Sequence, residues 1–199
     1  MTWDLTSYFP QFDGPEMRRF KEALRNDVAA LHKEAAALPS LIEESADAWE
    51  QVLTSNEDLS RRLSHLSSYI GCLVSSDARN EAYLREESGL TRQRAELAKV
   101  RIELLRAMKG VSDEVFFSFA ARTALAGAEH YLNRLREEAH RVMPTEKEIL
   151  ATDLGVDGIQ AWGRLYDTIS SKLEFDMAYP DEKRQRLPMS QRRSLMDHP

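Results

Sequence analysis

The five histidines are the residues best suited to hold a metal ion, and their spacing argues against a metal site. They are His32, His65, His130, His140 and His198. A zinc peptidase helix needs His-Glu-x-x-His, which sets two imidazoles one turn apart beside a glutamate. No histidine here begins that pattern, and no two lie within eight residues of each other. We therefore assign no metal ligand to these 199 residues.

Glutamate pairs and the single cysteine are the next candidates for chemistry. The pairs are Glu43-Glu44, Glu86-Glu87 and Glu137-Glu138, and such pairs are typical of solvent-exposed helix faces. Glu137 and His140 match the Glu-x-x-His spacing of di-iron helices once, but that site needs a second copy on a facing helix. Cys72 has apolar neighbours and no adjacent basic residue, which is typical of a packed thiol. Neither Gly-x-Ser-x-Gly nor a Walker loop occurs, so we assign no catalytic residue, and no substrate-binding residue can be identified.

Composition and charge exclude several classes of protein. The net charge of -6 argues against nucleic-acid and anionic-membrane partners. The basic clusters at 183–186 and 192–193 lack interleaved aromatic residues. One cysteine permits no internal disulfide, which fits a reducing compartment. The N-terminus lacks a secretion signal, and no apolar run approaches the ~20 residues of a membrane span. These features predict a soluble, cytoplasmic protein.

Apolar residues spaced by three and four predict long helices in the first half of the chain, where glycine and proline are scarce. The first helix is predicted from Pro15 to Ala37, with Asp13 as its cap. Its stripe consists of Met17, Phe20, Leu24, Val28 and Leu31.

Two longer helices should follow as an antiparallel hairpin. The second is predicted over 40–74, with a local cap or bend at 55–58, and the third over 78–109, ended by Gly110. The second stripe consists of Val52, Leu59, Leu63, Leu66, Ile70 and Leu73. The third consists of Leu84, Thr91, Ala98, Ile102 and Leu105, with Arg92, Arg94 and Lys99 off it.

The remaining chain predicts shorter helices and one hairpin. Ser112 opens a region with Phe116, Phe117 and Phe119, and a helix follows over 124–142 with Tyr131, Leu132 and Leu135 on one face. Thr145 and Glu148 match a capping box. A loop over 155–158 precedes an amphipathic helix containing Ile159, Trp162, Leu165, Tyr166 and Ile169. Strands are predicted at 173–179 and 184–187, joined by a turn from Tyr179, and the tail begins a helix near Pro188.

The predicted fold class is all-α. Long antiparallel helices form a bundle-like lobe over 1–172, and residues 173–199 hold the β-hairpin and the start of a linker helix.

Three stretches resemble oligoendopeptidase F-type zinc metallopeptidases, relatives of thimet oligopeptidase. The first is the opening Trp3-Asp-Leu-Thr-Ser-Tyr-Phe-Pro, the second is the leucine-spaced segment 49–80, and the third is 131–177, where Trp162, Leu165 and Tyr166 lead into a strand. The order and spacing of these pieces carry the resemblance, because none of them is a catalytic signature. Pro180-Asp181 departs from the glycine-containing turn expected in the family.

The resemblance implies that this chain is the N-terminal lobe of a peptidase that cleaves short peptides in a deep channel. Zinc would be bound by a catalytic domain encoded after Pro199, so no cofactor binds this chain and the chain alone would be inactive. The surface that this domain covers could make the isolated lobe self-associate. Two alternatives stay open: a free-standing helical scaffold without catalysis, and a regulatory four-helix module with a ligand in its core.

Overall fold

The structure is a computed structural model that describes residues 4–178 and 184–188. Within them the helices are α1 (Pro15–Ala36), α2 (Ala46–Ser76), α3 (Glu81–Met108), α4 (Asp113–Ala120), α5 (Glu129–Ala139), α6 (Thr145–Asp157) and α7 (Ile159–Lys172). Strands β1 (Glu174–Ala178) and β2 (Arg184–Pro188) pair antiparallel. The predicted all-α lobe with a small hairpin near its end is confirmed. Trp3, His198, the hairpin turn and the tail helix lie outside the described residues.

Helices α1, α2 and α3 pack against one another and enclose the core. Four of the five predicted stripe residues of α1 are buried, and the fifth, Phe20, packs against the core from its edge. Trp49 of α2 is fully buried, and its indole Nε1 donates a hydrogen bond to the carbonyl oxygen of Pro39 at 3.1 Å. The indole thus joins α2 to the segment that follows α1.

The predicted cap of α1 is wrong. Gly14 is the residue that precedes the helix, and no side chain caps it, although Pro15 occupies the first turn as predicted. Asp13 has a φ of 52°, in the left-handed region that aspartate tolerates better than most residues. Its carboxylate instead lies 3.2 Å from the guanidinium of Arg18. The Asp13 carboxylate therefore forms an exposed ion pair rather than a cap.

Helix α2 begins later than predicted and is not interrupted. A 3-10 turn over Glu43–Ser45 precedes it, in which the hydroxyl of Ser45 accepts a hydrogen bond from the Ile42 N–H at 3.0 Å. The helix then continues unbroken through 55–58, so the suggested interruption there is wrong. Five of the six predicted stripe residues of α2 are buried.

The stripe predicted for α3 is only partly right. Ile102 and Leu105 are buried, but Ala98 is exposed, and Lys99, predicted off the stripe, is buried. Leu90, Leu97, Val100, Leu104 and Met108 form the larger part of the buried surface. Because α3 contacts α1 and α2 as well as α5 and α6, its second half is covered on several sides. A single amphipathic stripe cannot describe such a central helix.

Glycines and caps mark most boundaries of the shorter helices. Gly110 takes a φ of +81° just after α3, and the hydroxyl of Ser112 accepts a hydrogen bond from the Val115 N–H, as predicted. Phe116 and Phe119 are buried, whereas Phe117 is exposed. Helix α5 is shorter than the predicted 124–142, because Gly127, at a φ of +87°, separates it from the preceding turn.

Two predictions around α6 need correction. Thr145 does not cap α6, for which Pro144 is the N-cap residue. The carboxylate of Glu148 still reaches a free backbone donor, the Met143 N–H, at 2.9 Å. The predicted loop over 155–158 is helical as far as Asp157, and only Gly158 interrupts the chain.

Candidate functional site

Helices α6 and α7 present large apolar side chains to solvent, a surface that we call the apolar face. It consists of Leu150, Leu154, Ile159, Trp162, Leu165, Tyr166 and Ile169, followed by Leu173. Ile159 is 81% exposed and Trp162 72% exposed, and neither helix contains a buried residue. The amphipathic pattern predicted for α7 is confirmed, but its apolar residues face outward. Exposed apolar surface on this scale is typical of an interaction site.

The polar side of α7 faces its own chain. Arg164, Asp167, Thr168, Ser170 and Ser171 line a cleft whose opposite wall comes from the end of α2 and the start of α3, and the largely exposed Tyr166 borders both this cleft and the apolar face. At the bend between α6 and α7, a Cβ atom on Gly158 would lie 2.8 Å from the carbonyl oxygen of Leu154, so only glycine fits there. The bend and the polar cleft together leave the apolar residues of α7 without a partner in the described residues.

Ion pairs hold this region to the bundle. The Lys99 ammonium lies 2.7 Å from a carboxylate oxygen of Asp153 on α6 and 3.0 Å from Glu96 on its own helix. Desolvation lowers the pKa of Lys99, but the hydrogen bonds and charges of Asp153 and Glu96 outweigh it and raise the pKa above its ordinary value. Beyond α7, Glu174 of β1 binds Arg79, in the link between α2 and α3, at 2.5 Å. Two ion pairs thus join this region to the bundle, in addition to the packing of α6 against α3.

A second surface, which we call the serine groove, runs between α2 and α3 and has a volume of about 600 Å³. Its lining residues are Asn56, Ser60, Leu63, Ser64, Ser67, Ser68, Arg94, Leu97, Ala98, Arg101 and Tyr131. Asn56, Ser60, Ser64 and Ser67 recur at spacings of four, four and three, which places them in one row on α2. That spacing was visible in the sequence, but we did not predict a groove there, because polar rows are also typical of exposed helix faces.

The two arginines of the serine groove differ in their partners. The guanidinium of Arg101 hydrogen-bonds the carboxylate of Glu138 and lies 5.9 Å from the ring centroid of Tyr131. The hydrogen bond from Arg101 lowers the pKa of Glu138 below its usual range. Arg94, by contrast, makes no ion pair or side-chain hydrogen bond within the part of the chain that the structure describes. Among the described residues, the charge of Arg94 is thus not neutralised by a carboxylate.

The residues first considered for metal chemistry lie apart from one another. His65 packs among the rings of Tyr8, Phe9 and Phe20, while His130 and His140 are exposed. Cys72 is half-buried. Over residues 4–178 and 184–188, no group of three or more histidine, cysteine, aspartate or glutamate side chains could hold a metal ion. The same described region contains no helix with the length and apolarity needed to cross a bilayer.

A comparison with protein families supports the resemblance over the second half of the chain. Residues 108–175 match the family model described as Oligopeptidase F, the N-terminal part of the M3 peptidases. This match supports the resemblance of the chain to an oligoendopeptidase F-type N-terminal lobe. The matched oligopeptidase F segment begins at the end of α3 and ends in β1, so it contains the whole apolar face. No curated protein and no solved structure matches the chain.

Proposed function

We propose that this chain is the substrate-channel lobe of a cytoplasmic, zinc-dependent oligoendopeptidase that hydrolyses short peptides. The match of residues 108–175 to the oligopeptidase F family is the observation that carries the proposal. The helical lobe would form one wall of a channel that admits short peptides and excludes folded proteins. In this role its residues bind and position substrate rather than react with it.

The zinc ion and its ligands would belong to a catalytic domain elsewhere in the polypeptide. The described residues do not fit a zinc centre, because they bring together no set of ligands. In zinc peptidases the metal activates water for attack on the peptide carbonyl. We therefore derive no step of the hydrolysis from the residues of this lobe.

The apolar face supports the existence of such a domain. Full burial of one large apolar side chain contributes roughly 1.5–3 kcal/mol, and this face exposes eight side chains of that kind. A catalytic domain that covered α7 would bury its outward residues and leave its polar side in the cleft with α2 and α3. The face thus supplies a docking surface inside the segment that matches the peptidase family.

The direct test is to read the complete coding frame and to assay its product. We expect a His-Glu-x-x-His helix downstream and cleavage of an internally quenched short peptide. A chelator should abolish the cleavage, and added zinc should restore it, while the 199-residue chain alone should be inactive. A complete frame without that helix, or zinc-dependent cleavage by the 199 residues, would contradict the proposal.

The alternative of a free-standing helical scaffold shares one observation with the peptidase proposal. A scaffold would also expose an apolar face, in its case toward a separate protein. The coding frame distinguishes the two, because a scaffold needs no paired-histidine helix in the same polypeptide.

A further inference from the structure

We propose that the serine groove binds an extended peptide of about five residues, with Arg94 pairing to a carboxylate of that peptide. The inference rests on the proposed function, since it assigns the substrate-binding surface and a preferred substrate chemistry. It uses only the geometry and charge of the groove, so it can fail while the peptidase assignment stands.

The dimensions of the groove fit a short extended chain. The row on α2 from Asn56 to Ser67 covers about 16 Å at a rise of ~1.5 Å per helical residue. An extended peptide rises ~3.3 Å per residue, so about five residues match this length. The side chains of the row are small, which leaves the volume of about 600 Å³ open between the two long helices.

The polar groups of the groove suit a peptide backbone. Serine hydroxyls both donate and accept hydrogen bonds, and the Asn56 amide does the same. A row of such groups can pair with the N–H and C=O groups of a bound strand without selecting its side chains. The Ser67 hydroxyl oxygen is buried and has no hydrogen-bond partner in the described chain. Rotation of this hydroxyl toward the groove would satisfy it on a bound peptide.

The charge of the groove determines which peptides bind better. Its lining contains two arginines and no carboxylate. Since Glu138 already binds Arg101, the charge of Arg94 is the one that stays free within the described residues. An arginine pairs with a carboxylate through two parallel hydrogen bonds. Either the C-terminus of a peptide or an acidic side chain could supply that carboxylate.

Titration of the 199-residue chain by NMR with three N-acetylated pentapeptides tests the proposal. The probes are acetyl-Ala-Phe-Ala-Leu-Ala as the free acid, the same peptide as its C-terminal amide, and acetyl-Ala-Phe-Ala-Glu-Ala-amide. We expect at least one of the two anionic peptides to bind about fivefold or more tightly than the neutral amide. Preference for the free acid identifies the C-terminus as the ligand, and preference for the glutamate peptide identifies the side chain.

Arg94→Gln should remove the preference for an anionic peptide and leave the affinity for the neutral amide unchanged. The matched control is Arg92→Gln on the same helix, because Arg92 is exposed and outside the groove, and it should retain the preference. Ser64→Tyr places a large side chain in the groove and should weaken the binding of all three peptides about tenfold or more.

Equal effects of the two arginine variants, or binding that Ser64→Tyr leaves unchanged, would overturn the proposal. So would the absence of chemical-shift changes in the groove at peptide concentrations of about 10 mM. If the complete gene product shows zinc-dependent cleavage while these titrations fail, the groove assignment falls and the peptidase assignment stands.

Discussion

Helices α2 and α7 are both amphipathic, yet they use their apolar residues in opposite ways. In α2, Trp49 is completely buried between neighbouring elements. In α7, Trp162 is 72% exposed and the helix buries no residue. The bundle of α1–α5 encloses the apolar core, whereas α6 and α7 have no buried residue and are joined to the bundle by contacts that include the ion pair of Lys99 with Asp153.

This difference indicates that the apolar residues of the two regions are covered by different partners. Apolar periodicity in a sequence identifies a face to be covered, but it does not say what covers it. For the bundle, the cover lies within the described chain. We propose that a catalytic domain covers the apolar face. The first three of the four predictions that follow test the contrast between the two regions, and the fourth concerns the bundle alone.

The largest difference in stability should come from replacing the buried Trp49 of α2 and the exposed Trp162 of α7. Trp49→Ala should lower the free energy of unfolding by about 3–5 kcal/mol, because it leaves a cavity and removes the hydrogen bond to Pro39. Trp162→Ala should change it by no more than about 0.5 kcal/mol. Denaturant unfolding followed by circular dichroism measures both. Similar losses in the two variants would show that α7 packs as tightly as α2.

Self-association should depend on the apolar face alone. We expect the isolated chain to associate at high concentration, and Ile159→Asp should weaken that association about tenfold or more, because it places a charge on the face. Phe117→Asp is the matched control, since Phe117 is exposed but belongs to the bundle. Sedimentation velocity over a concentration series measures the strength of self-association of both variants and of the unaltered chain. A monomer at all concentrations, or an equal effect of the control, would contradict the prediction.

Helix capping should also distinguish the two regions. The side chain of Asn80 accepts hydrogen bonds from the backbone N–H groups of Ala82 and Tyr83 at the start of α3. Asn80→Ala should therefore cost about 1 kcal/mol of unfolding free energy. Thr145→Ala, at the start of α6, should cost only a few tenths, because Thr145 makes no capping bond. Thermal or denaturant unfolding compares the two, and a larger loss for Thr145→Ala would restore the capping box.

The smallest effect concerns acid stability. The Arg101 hydrogen bond lowers the pKa of Glu138 in the folded protein, so its stabilisation is present above the unfolded pKa. It is lost as the pH falls through the lower folded value. Because the carboxylate is partly exposed, Glu138→Gln should lower the free energy of unfolding by less than about 1 kcal/mol at pH 7. At a pH low enough to protonate the Glu138 carboxylate, the substitution should leave the free energy of unfolding unchanged.

Its neighbour provides the control for this pH dependence. Glu137→Gln removes an exposed carboxylate one residue away and should leave the unfolding free energy unchanged at both pH values. Unfolding of both variants at pH 7 and near pH 2.5 separates the outcomes. A loss in Glu138→Gln that persists at low pH would mean that the residue acts through packing instead of charge.

The sequence predicts best where one physical requirement dominates. The stripe of α1 could be predicted because α1 packs along one side, and the end of α3 because Gly110 takes a left-handed conformation. The stripe of α3 could not be predicted, because helices cover α3 on several sides and even Lys99 is buried. The predicted cap at Asp13 is wrong because Gly14 is the N-cap residue, and the Asp13 carboxylate instead pairs with Arg18.

The candidate sites show the same limit. The amphipathic pattern of α7 was clear from Ile159, Trp162 and Ile169, but the direction that it faces follows from the bend at Gly158 and from the polar cleft. The serine row was present in the sequence, yet a groove arises only when α3 and α5 supply the opposite wall. Both surfaces depend on tertiary placement, which residue spacing alone does not specify.

Hydrogen exchange of α7 tests most directly whether the apolar face docks against a further part of the same polypeptide. The measurement compares the 199-residue chain with the product of the complete coding frame. The proposed interface predicts that backbone amides of residues 159–172 exchange at least about tenfold more slowly in the longer product, while those of α1 are unchanged. Equal exchange of α7 in the two proteins, or a coding frame that closes after Pro199, would contradict it.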